Sequence, residues 1–247
     1  MQVFTVTDKG RRIENQDSFC FFSTPYWFLG AVADGVGGNK GGAVAARIAI
    51  ETLRANLAVN SSIDETFARI HFRLVEEAND CPDLQGMATT LTAMVFEDSK
   101  LRGTHCGDSR AYLLRGQGLK QLTIDHTETA RMVAEGLMTK AEAVNYPRKN
   151  VLASALGTHK DLVIQSFASD VKPGDRLLLL TDGVYSEINK QEIQRASAED
   201  SNLERFCHEL IKTVEKRGVS DNFTMLAIEF DSTDFRSFPS KCSQQSW

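Results

Sequence analysis

The chain has 247 residues, of which 42% are apolar and 25% charged, a composition typical of a soluble globular protein with a sizeable core. Collagenous, mucin-like and wholly disordered chains are therefore excluded. The formal net charge of −5 gives no electrostatic basis for nonspecific binding to nucleic acid or to an anionic membrane. No apolar stretch approaches the roughly 20 residues that cross a bilayer. The N-terminus has no apolar signal core, so we expect a cytoplasmic protein without nucleic-acid or membrane partners.

Apolar, strand-like runs recur along the chain and predict a β-rich protein. Strands are expected at residues 17–22, 27–33, 89–96, 100–106, 110–114, 162–168, 176–181 and 223–230. They do not alternate regularly with helices, so the pattern favours antiparallel or mixed sheets with helices packed outside over a doubly wound α/β fold. We expect one domain over residues 1–231 and a flexible C-terminal tail over 232–247.

Helical periodicity predicts fewer helices than there are predicted strands. Helices are expected at about residues 42–57, 63–78 and 203–214, with short helical pieces between about 128 and 144 in an otherwise irregular stretch. Ser62 and Ser201 are the expected N-caps of the last two long helices, because each has Glu three residues later. Gly218 is the expected left-handed residue that ends the last helix.

Two near-continuous apolar runs each end in an Asp followed by Gly, at Asp34 and Asp182. An unpaired carboxylate beside a core is expensive to bury, so this repeated pattern favours a compensating cation. The alternative is that Asp-Gly only makes a turn after a strand. Three further carboxylates at strand edges, Asp17, Asp108 and Asp221, can join the same site. A hairpin turn is the alternative for Asp108 and an Asx-type loop for Asp221.

A cluster of carboxylate oxygens suits hard divalent ions such as Mg²⁺ or Mn²⁺, and without metal the carboxylates would raise one another's pKa. The glycine-rich link at residues 35–42 fits neither common nucleotide-binding glycine motif, so its expected use is close approach of the backbone to an ion. Cys-x5-Arg, D-x-D and G-x-S-x-G are all absent. The sequence therefore favours a metal-activated water over a side-chain nucleophile.

Eight short motifs match one family in its own order. They are Arg-x-x-Asn-Gln-Asp (12–17), Ala-Asp-Gly-Val-Gly-Gly (33–38), Ala-Thr-Thr (88–90), Gly-Asp-Ser-Arg (107–110), Asp-His-Thr (125–127), Ala-Leu-Gly (155–157), Thr-Asp-Gly (181–183) and Ser-Asp-Asn (220–222). The chain resembles the metal-dependent serine/threonine phosphatases of the protein phosphatase 2C type, with features of a bacterial member. The resemblance implies an α+β fold, a four-layer α-β-β-α sandwich with two central antiparallel sheets flanked by helices.

The resemblance also implies a binuclear Mn²⁺ or Mg²⁺ centre at one end of the sandwich. Asp34 would bridge both ions, and the Gly35 carbonyl would reach one of them. Asp182 and Asp221 would complete the other, and Asp17 would hold metal-bound waters.

Two further positions complete the implied site. Asp108 would, with Asp182, take up a weaker third ion. Arg12 matches the family's phosphate-binding arginine, whose guanidinium can donate two parallel hydrogen bonds to phosphoryl oxygens. The alternative is an exposed loop cation like its neighbour Arg11. Arg12, Asp34 and Asp182 are thus the residues expected to act in catalysis.

The implied reaction is hydrolysis of phosphoserine and phosphothreonine in proteins by a metal-activated water, without a covalent intermediate. The substrates would be products of a serine/threonine kinase, and we expect a monomer. Val36 and Asn39 stand where some relatives carry His, so the general acid stays open. His126 is a candidate for a supporting role, with a structural role as the alternative. Two other functions stay open: a catalytically weak regulatory module of the same fold, and a hydrolase of small phosphate esters.

Overall fold

Two antiparallel sheets lie at the centre of the protein in its computed structural model, which describes residues 1–24, 27–36, 41–57, 62–97, 100–158 and 161–235. The strands are β1 (Gln2–Asp8), β2 (Asp17–Ser23), β3 (Trp27–Val36), β4 (Ala88–Thr89), β5 (Leu91–Glu97), β6 (Lys100–Cys106), β7 (Arg110–Arg115), β8 (Gly118–Gln121), β9 (Gln165–Asp170), β10 (Arg176–Leu180) and β11 (Phe223–Glu229). One sheet has the order β1-β11-β10-β7-β8. The other has the order β2-β3-β5-β6-β9, with β4 paired to β3. Every strand pair among the described residues is antiparallel.

The longer helices cover the outer faces of these sheets. The α-helices are α1 (Gly41–Leu57), α2 (Ile63–Asp80), α3 (Glu128–Ala134), α4 (Lys140–Val144), α5 (Asp182–Tyr185), α6 (Lys190–Glu199) and α7 (Leu203–Arg217). In the described part of the chain, none is both long enough and apolar enough to cross a membrane.

Three apolar cores lie in series through the molecule. Phe67 and Leu74 of α2 pack, with α1, against the sheet that contains β2, β3 and β5. Phe28 and Leu179 belong to the core between the two sheets. Phe206 of α7 belongs to the third core, between the β10–β11 sheet and helices α5 to α7. This succession of layers is the predicted α-β-β-α sandwich, and the predicted fold class is confirmed.

Two of the three predicted helix caps are confirmed. The Ser62 side chain accepts a hydrogen bond from the backbone N–H three residues later, and Gly218 ends α7 with φ of 81°. The predicted Ser201 cap is wrong. Asn202, directly before the first helical residue, accepts the hydrogen bond from the N–H three residues on at 2.9 Å. Ser201 lies one position too early for its hydroxyl to serve that N–H.

The missed or shifted strands lie at sheet edges. β1 and β8 were not predicted, and in β1 only Phe4 and Val6 are partly covered, so the apolar signal is weak. The strand expected at 162–168 is observed as β9 instead. Its ladder with β6 begins at the pair His105 and Gln165, and β6 ends at Cys106, so residues before Ile164 have no strand beside them.

The predicted tail begins with ordered structure. Ser232–Phe235 forms a 3-10 helix, and the ring of Phe235 lies 5.6 Å from that of Phe96 and 5.8 Å from that of Phe230. These contacts join the first residues of the predicted tail to the core between the sheets. Residues 236–247, the rest of that tail, lie outside the described residues.

Candidate metal centre

The five predicted carboxylates lie at one end of the sandwich, where strands of both sheets end or begin. Asp17 is the first residue of β2, and Asp34 of β3 is its direct cross-strand partner. Asp182 follows β10, Asp221 precedes the adjacent strand β11, and Asp108 lies in the link from β6 to β7. Antiparallel pairing therefore gathers side chains that are far apart in the sequence.

The glycines after Asp34 and Asp182 permit close packing of backbone at this end. A Cβ atom on Gly35 would lie 2.2 Å from the carbonyl oxygen of Gly42, and one on Gly183 would lie 2.1 Å from that of Asn222. Any side chain at either position would push these segments apart. Close backbone approach at Gly35 is thus observed, while contact of its carbonyl with an ion stays a prediction. Residues 37–40 of the glycine-rich link lie outside the described residues.

The clustered carboxylates hold a proton more tightly than isolated ones. Burial raises the pKa of Asp17 to about 7 and that of Asp182 to about 6, and nearby carboxylates add to both shifts. Burial, and then four surrounding aspartates, raise the pKa of Asp34 well above its ordinary value. Burial followed by the charge of Asp182 raises the pKa of Asp108 to about 7. Asp34 is thus within electrostatic reach of the other four carboxylates.

One oxygen of Asp17 marks a position for a ligand. Its Oδ2 accepts hydrogen bonds from the hydroxyls of Thr181 and Thr224 at 2.8 and 2.7 Å. Its Oδ1 is the one buried side-chain nitrogen or oxygen atom, among the residues described, that has no hydrogen-bond partner. Leaving a buried carboxylate oxygen unsatisfied costs about 1–3 kcal/mol or more. The two threonines were not predicted as site residues.

The donor set fits a hard divalent cation whose coordination shell water completes. The predicted ligands are all oxygens, which Mg²⁺ and Mn²⁺ prefer. Within the described ranges, no three His, Cys, Asp or Glu side chains are already arranged to hold one ion. Mg²⁺ sites usually keep several waters. A water-completed shell, with Asp17 acting through such waters, is therefore the arrangement that these residues can support.

Arg12 lies at the rim of the cluster, in the loop between β1 and β2. Its Nε and Nη2 donate hydrogen bonds to the two carboxylate oxygens of Asp221, at 2.9 and 2.7 Å. The predicted phosphate-binding cation is thus paired with a predicted metal ligand. The same parallel donors match two oxygens of a phosphoryl group.

Asn222 fixes the loop that carries Arg12, a role that the sequence did not reveal. Its Nδ2 donates hydrogen bonds to the carbonyl oxygens of Lys9 and Glu14 at 2.9 and 2.8 Å. Its Oδ1 accepts one from the Gln16 N–H at 2.9 Å. The only sequence signal for this role was its place directly after Asp221 in a matched motif.

A cleft of about 930 Å³ opens above the cluster, and its lining includes Arg12, Asp34, Asp108, Asp182 and Asp221. His126 does not line the described part of this cleft.

The contacts of His126 fit a structural role and not a supporting role in catalysis. Its Nδ1 accepts a hydrogen bond from the Gly107 N–H at 3.2 Å, and its ring lies 4.8 Å from that of His105. Burial lowers the pKa of His126, which favours the neutral ring that this hydrogen bond requires.

Comparison with known proteins identifies the family. The sequence model of protein phosphatase 2C matches residues 9–226. The serine/threonine phosphatase stp of Listeria monocytogenes is 32% identical over 239 residues, which cover 92% of this chain and 95% of that protein. The fold and these matches define a phosphatase. The chain belongs to the protein phosphatase 2C family.

Solved structures agree with this assignment. Serine/threonine phosphatase Stp1 from Staphylococcus aureus superposes with a TM-score of 0.86 at 25% identity, covering 93% of this chain and 95% of that one. The catalytic domain of the serine/threonine protein phosphatase PstP, in complex with two manganese ions, superposes with a TM-score of 0.76 at 30% identity, covering 92% and 97%. The predicted resemblance to bacterial members is confirmed.

Proposed function

We propose that this chain is a protein serine/threonine phosphatase that hydrolyses phosphoserine and phosphothreonine at a centre of two Mn²⁺ or Mg²⁺ ions. The observation that carries the proposal is the aspartate cluster, with the unpartnered Asp17 Oδ1 among its buried oxygens and Arg12 at its rim. The names of the relatives support the substrate class, and the manganese ions bound to PstP support the metal.

Five residues of the chain are proposed to hold the two ions. Asp34 would bridge them, Asp182 and Asp221 would bind one, and the Gly35 carbonyl would bind the other. Asp17 would act through water. When bound, two such cations supply a water nucleophile of lowered pKa and neutralise charge on the phosphoryl oxygens.

Asp108 is proposed to hold a weaker third ion together with Asp182. Burial of Asp108, which is 7% exposed, and the raised pKa of its carboxyl indicate that it lacks full charge compensation in this structure. This third site is a separate proposal from the two-ion centre.

The protein's own groups orient the substrate. Arg12 would donate the Nε and Nη2 hydrogen bonds that it now gives Asp221 to two phosphoryl oxygens, which fixes the phosphorus above the aspartates. Thr181 and Thr224 hold one Asp17 oxygen, so the other keeps its direction. Direct hydrolysis without a covalent intermediate is proposed, because the aspartates of the cleft are assigned to the ions and the sequence lacks Cys-x5-Arg, D-x-D and G-x-S-x-G.

The biological setting is proposed from the same chemistry. Phosphoproteins made by a serine/threonine kinase would be the substrates, and the acidic chain is expected to act as a cytoplasmic monomer without nucleic-acid or membrane partners. A catalytically weak regulatory module would not need Arg12 and four aspartates at one cleft with Asp17 beside them, so the enzyme is the better-supported function.

Phosphate release from a phosphothreonine peptide by the purified protein tests the proposal. We expect turnover with Mn²⁺, none with excess EDTA, and none from the Asp182→Asn variant, whose melting should show that it is folded. No turnover with saturating Mn²⁺ would contradict the proposal. A higher kcat/KM for small phosphate esters than for phosphopeptides would instead support the small-ester hydrolase.

A further inference from the structure

Ile13 is an exposed apolar side chain at the edge of the candidate active site. It is 98% exposed, the highest value among the large apolar side chains that the structure describes. It follows Arg12 directly in the sequence and lines the same cleft. Full exposure means that Ile13 contributes little to the core.

The loop that presents Ile13 is fixed on both sides of it. The Arg12 N–H donates a hydrogen bond to the Lys9 carbonyl oxygen at 3.1 Å, and the Asn222 side chain binds the carbonyl oxygens of Lys9 and Glu14. The backbone at Ile13 is therefore held in position before any ligand arrives, which lowers the entropy cost of a contact with its side chain.

The cleft carries further apolar surface. Val36, Val151 and Leu152 are partly buried and line it together with Ile13, while aspartates form its charged part. A substrate bound here would meet a polar centre for its phosphoryl group and apolar groups around that centre. A phosphorylated peptide with an apolar residue beside the phosphoresidue combines both features.

We infer that Ile13 is a specificity residue that contacts an apolar side chain next to the phosphorylated residue of a protein substrate. The inference rests on the proposed function, in which Arg12 binds the phosphoryl group. Because Ile13 lines the same cleft as Arg12 and follows it directly in the chain, a peptide whose phosphoryl group binds Arg12 lies against the surface that includes Ile13.

Two phosphothreonine peptides that differ only in the flanking residues test this role. One has leucine on both sides of the phosphothreonine and the other has serine. We expect the wild-type protein with Mn²⁺ to have a kcat/KM about tenfold higher for the leucine peptide, as contact with one apolar side chain provides. Ile13→Ser should reduce this ratio to about one, and Ile13→Leu should keep it.

Phe72→Ser is the matched control, because Phe72 is 66% exposed on α2 and does not line the cleft. It should keep the wild-type ratio. A wild-type protein that cleaves both peptides equally, or an Ile13→Ser variant that keeps the leucine preference, would overturn the role of Ile13 and leave the proposed function standing. Failure of the wild type to cleave either peptide would overturn both.

Discussion

Arg12 donates two hydrogen bonds to Asp221, so a cation expected to bind phosphate is paired with a carboxylate expected to bind metal. Both side chains are exposed, so the pair contributes little to stability. Phosphate binding by Arg12 and metal binding by Asp221 can be tested with one substitution. Removing the guanidinium removes the phosphate ligand and at the same time frees the Asp221 carboxylate. Phosphate binding and metal binding should then respond in opposite directions to one substitution.

Arg12→Ala should lower kcat/KM for a phosphothreonine peptide by about 10- to 100-fold, because charge-assisted hydrogen bonds to the phosphoryl group are lost. The Kd for Mn²⁺ should stay equal or decrease, because a positive charge leaves the site and Asp221 is freed. Steady-state kinetics and calorimetric titration measure the two effects. Arg11→Ala is the matched control and should change kcat/KM less than about threefold. If Arg12→Ala kept wild-type kinetics, Arg12 would be an exposed loop cation and not a phosphate-binding residue.

Thr181→Val tests whether the threonine hydroxyls orient Asp17. The substitution removes a 2.8 Å hydrogen bond to the Asp17 carboxylate and a second one from the Thr224 N–H. We expect Mn²⁺ affinity to fall about 10-fold, as when a hydrogen-bond partner of a metal ligand is removed. The free energy of unfolding should fall by about 1–2 kcal/mol.

Thr7→Val is the control for this substitution. Thr7 binds the Thr224 hydroxyl at 2.8 Å but makes no hydrogen bond to Asp17. It should lower stability with a change in Mn²⁺ affinity of less than about threefold. If the two variants lost Mn²⁺ affinity equally, the proposed orienting role of Thr181 would be wrong.

The raised pKa of Asp17 predicts how stability depends on pH without metal. Burial raises this pKa from 3.8 to about 7, so the folded protein holds the proton more tightly than the unfolded chain. The associated stability is fully present below about pH 4 and is lost as the pH rises through about 7. Asp17→Asn cannot titrate. Its free energy of unfolding should therefore fall less than that of the wild type between about pH 4 and 8, by on the order of 1–3 kcal/mol.

Urea denaturation in EDTA across this pH range measures the difference. Asp17→Asn also removes the Asp17 charge from its neighbour Asp34, so the comparison measures the titration of Asp17 together with its interaction with the other aspartates. Identical pH profiles for the two proteins would contradict the raised pKa.

The sequence alone predicted individual site residues but not that these residues lie close together in the fold. Asp34 and Asp182 were predictable, because an apolar run that ends in Asp-Gly specifies where a strand leaves the core. Their convergence depends on how the two sheets pack, because β3 and β10 lie in different sheets, and no local sequence pattern encodes that packing. Only the ordered family motifs made the cluster predictable.

The sequence did not reveal how the supporting threonines act, although Thr181 stands in the matched Thr-Asp-Gly motif. Thr181 and Thr224 lie at strand ends, where threonine is common for its β propensity alone. Their hydroxyls acquire a role only when folding brings Asp17 from the other sheet against them. The exposure of Ile13 likewise depends on the fold of its loop and not on any periodic pattern.

Anomalous diffraction at the manganese absorption edge, from crystals grown with Mn²⁺, tests the central claim most directly. We predict at least two anomalous peaks among Asp34, Asp182 and Asp221 in the wild type, and weakened or missing peaks in an Asp34→Asn crystal prepared in the same way. Well-ordered aspartates at saturating Mn²⁺ with no anomalous peak among them would contradict the account.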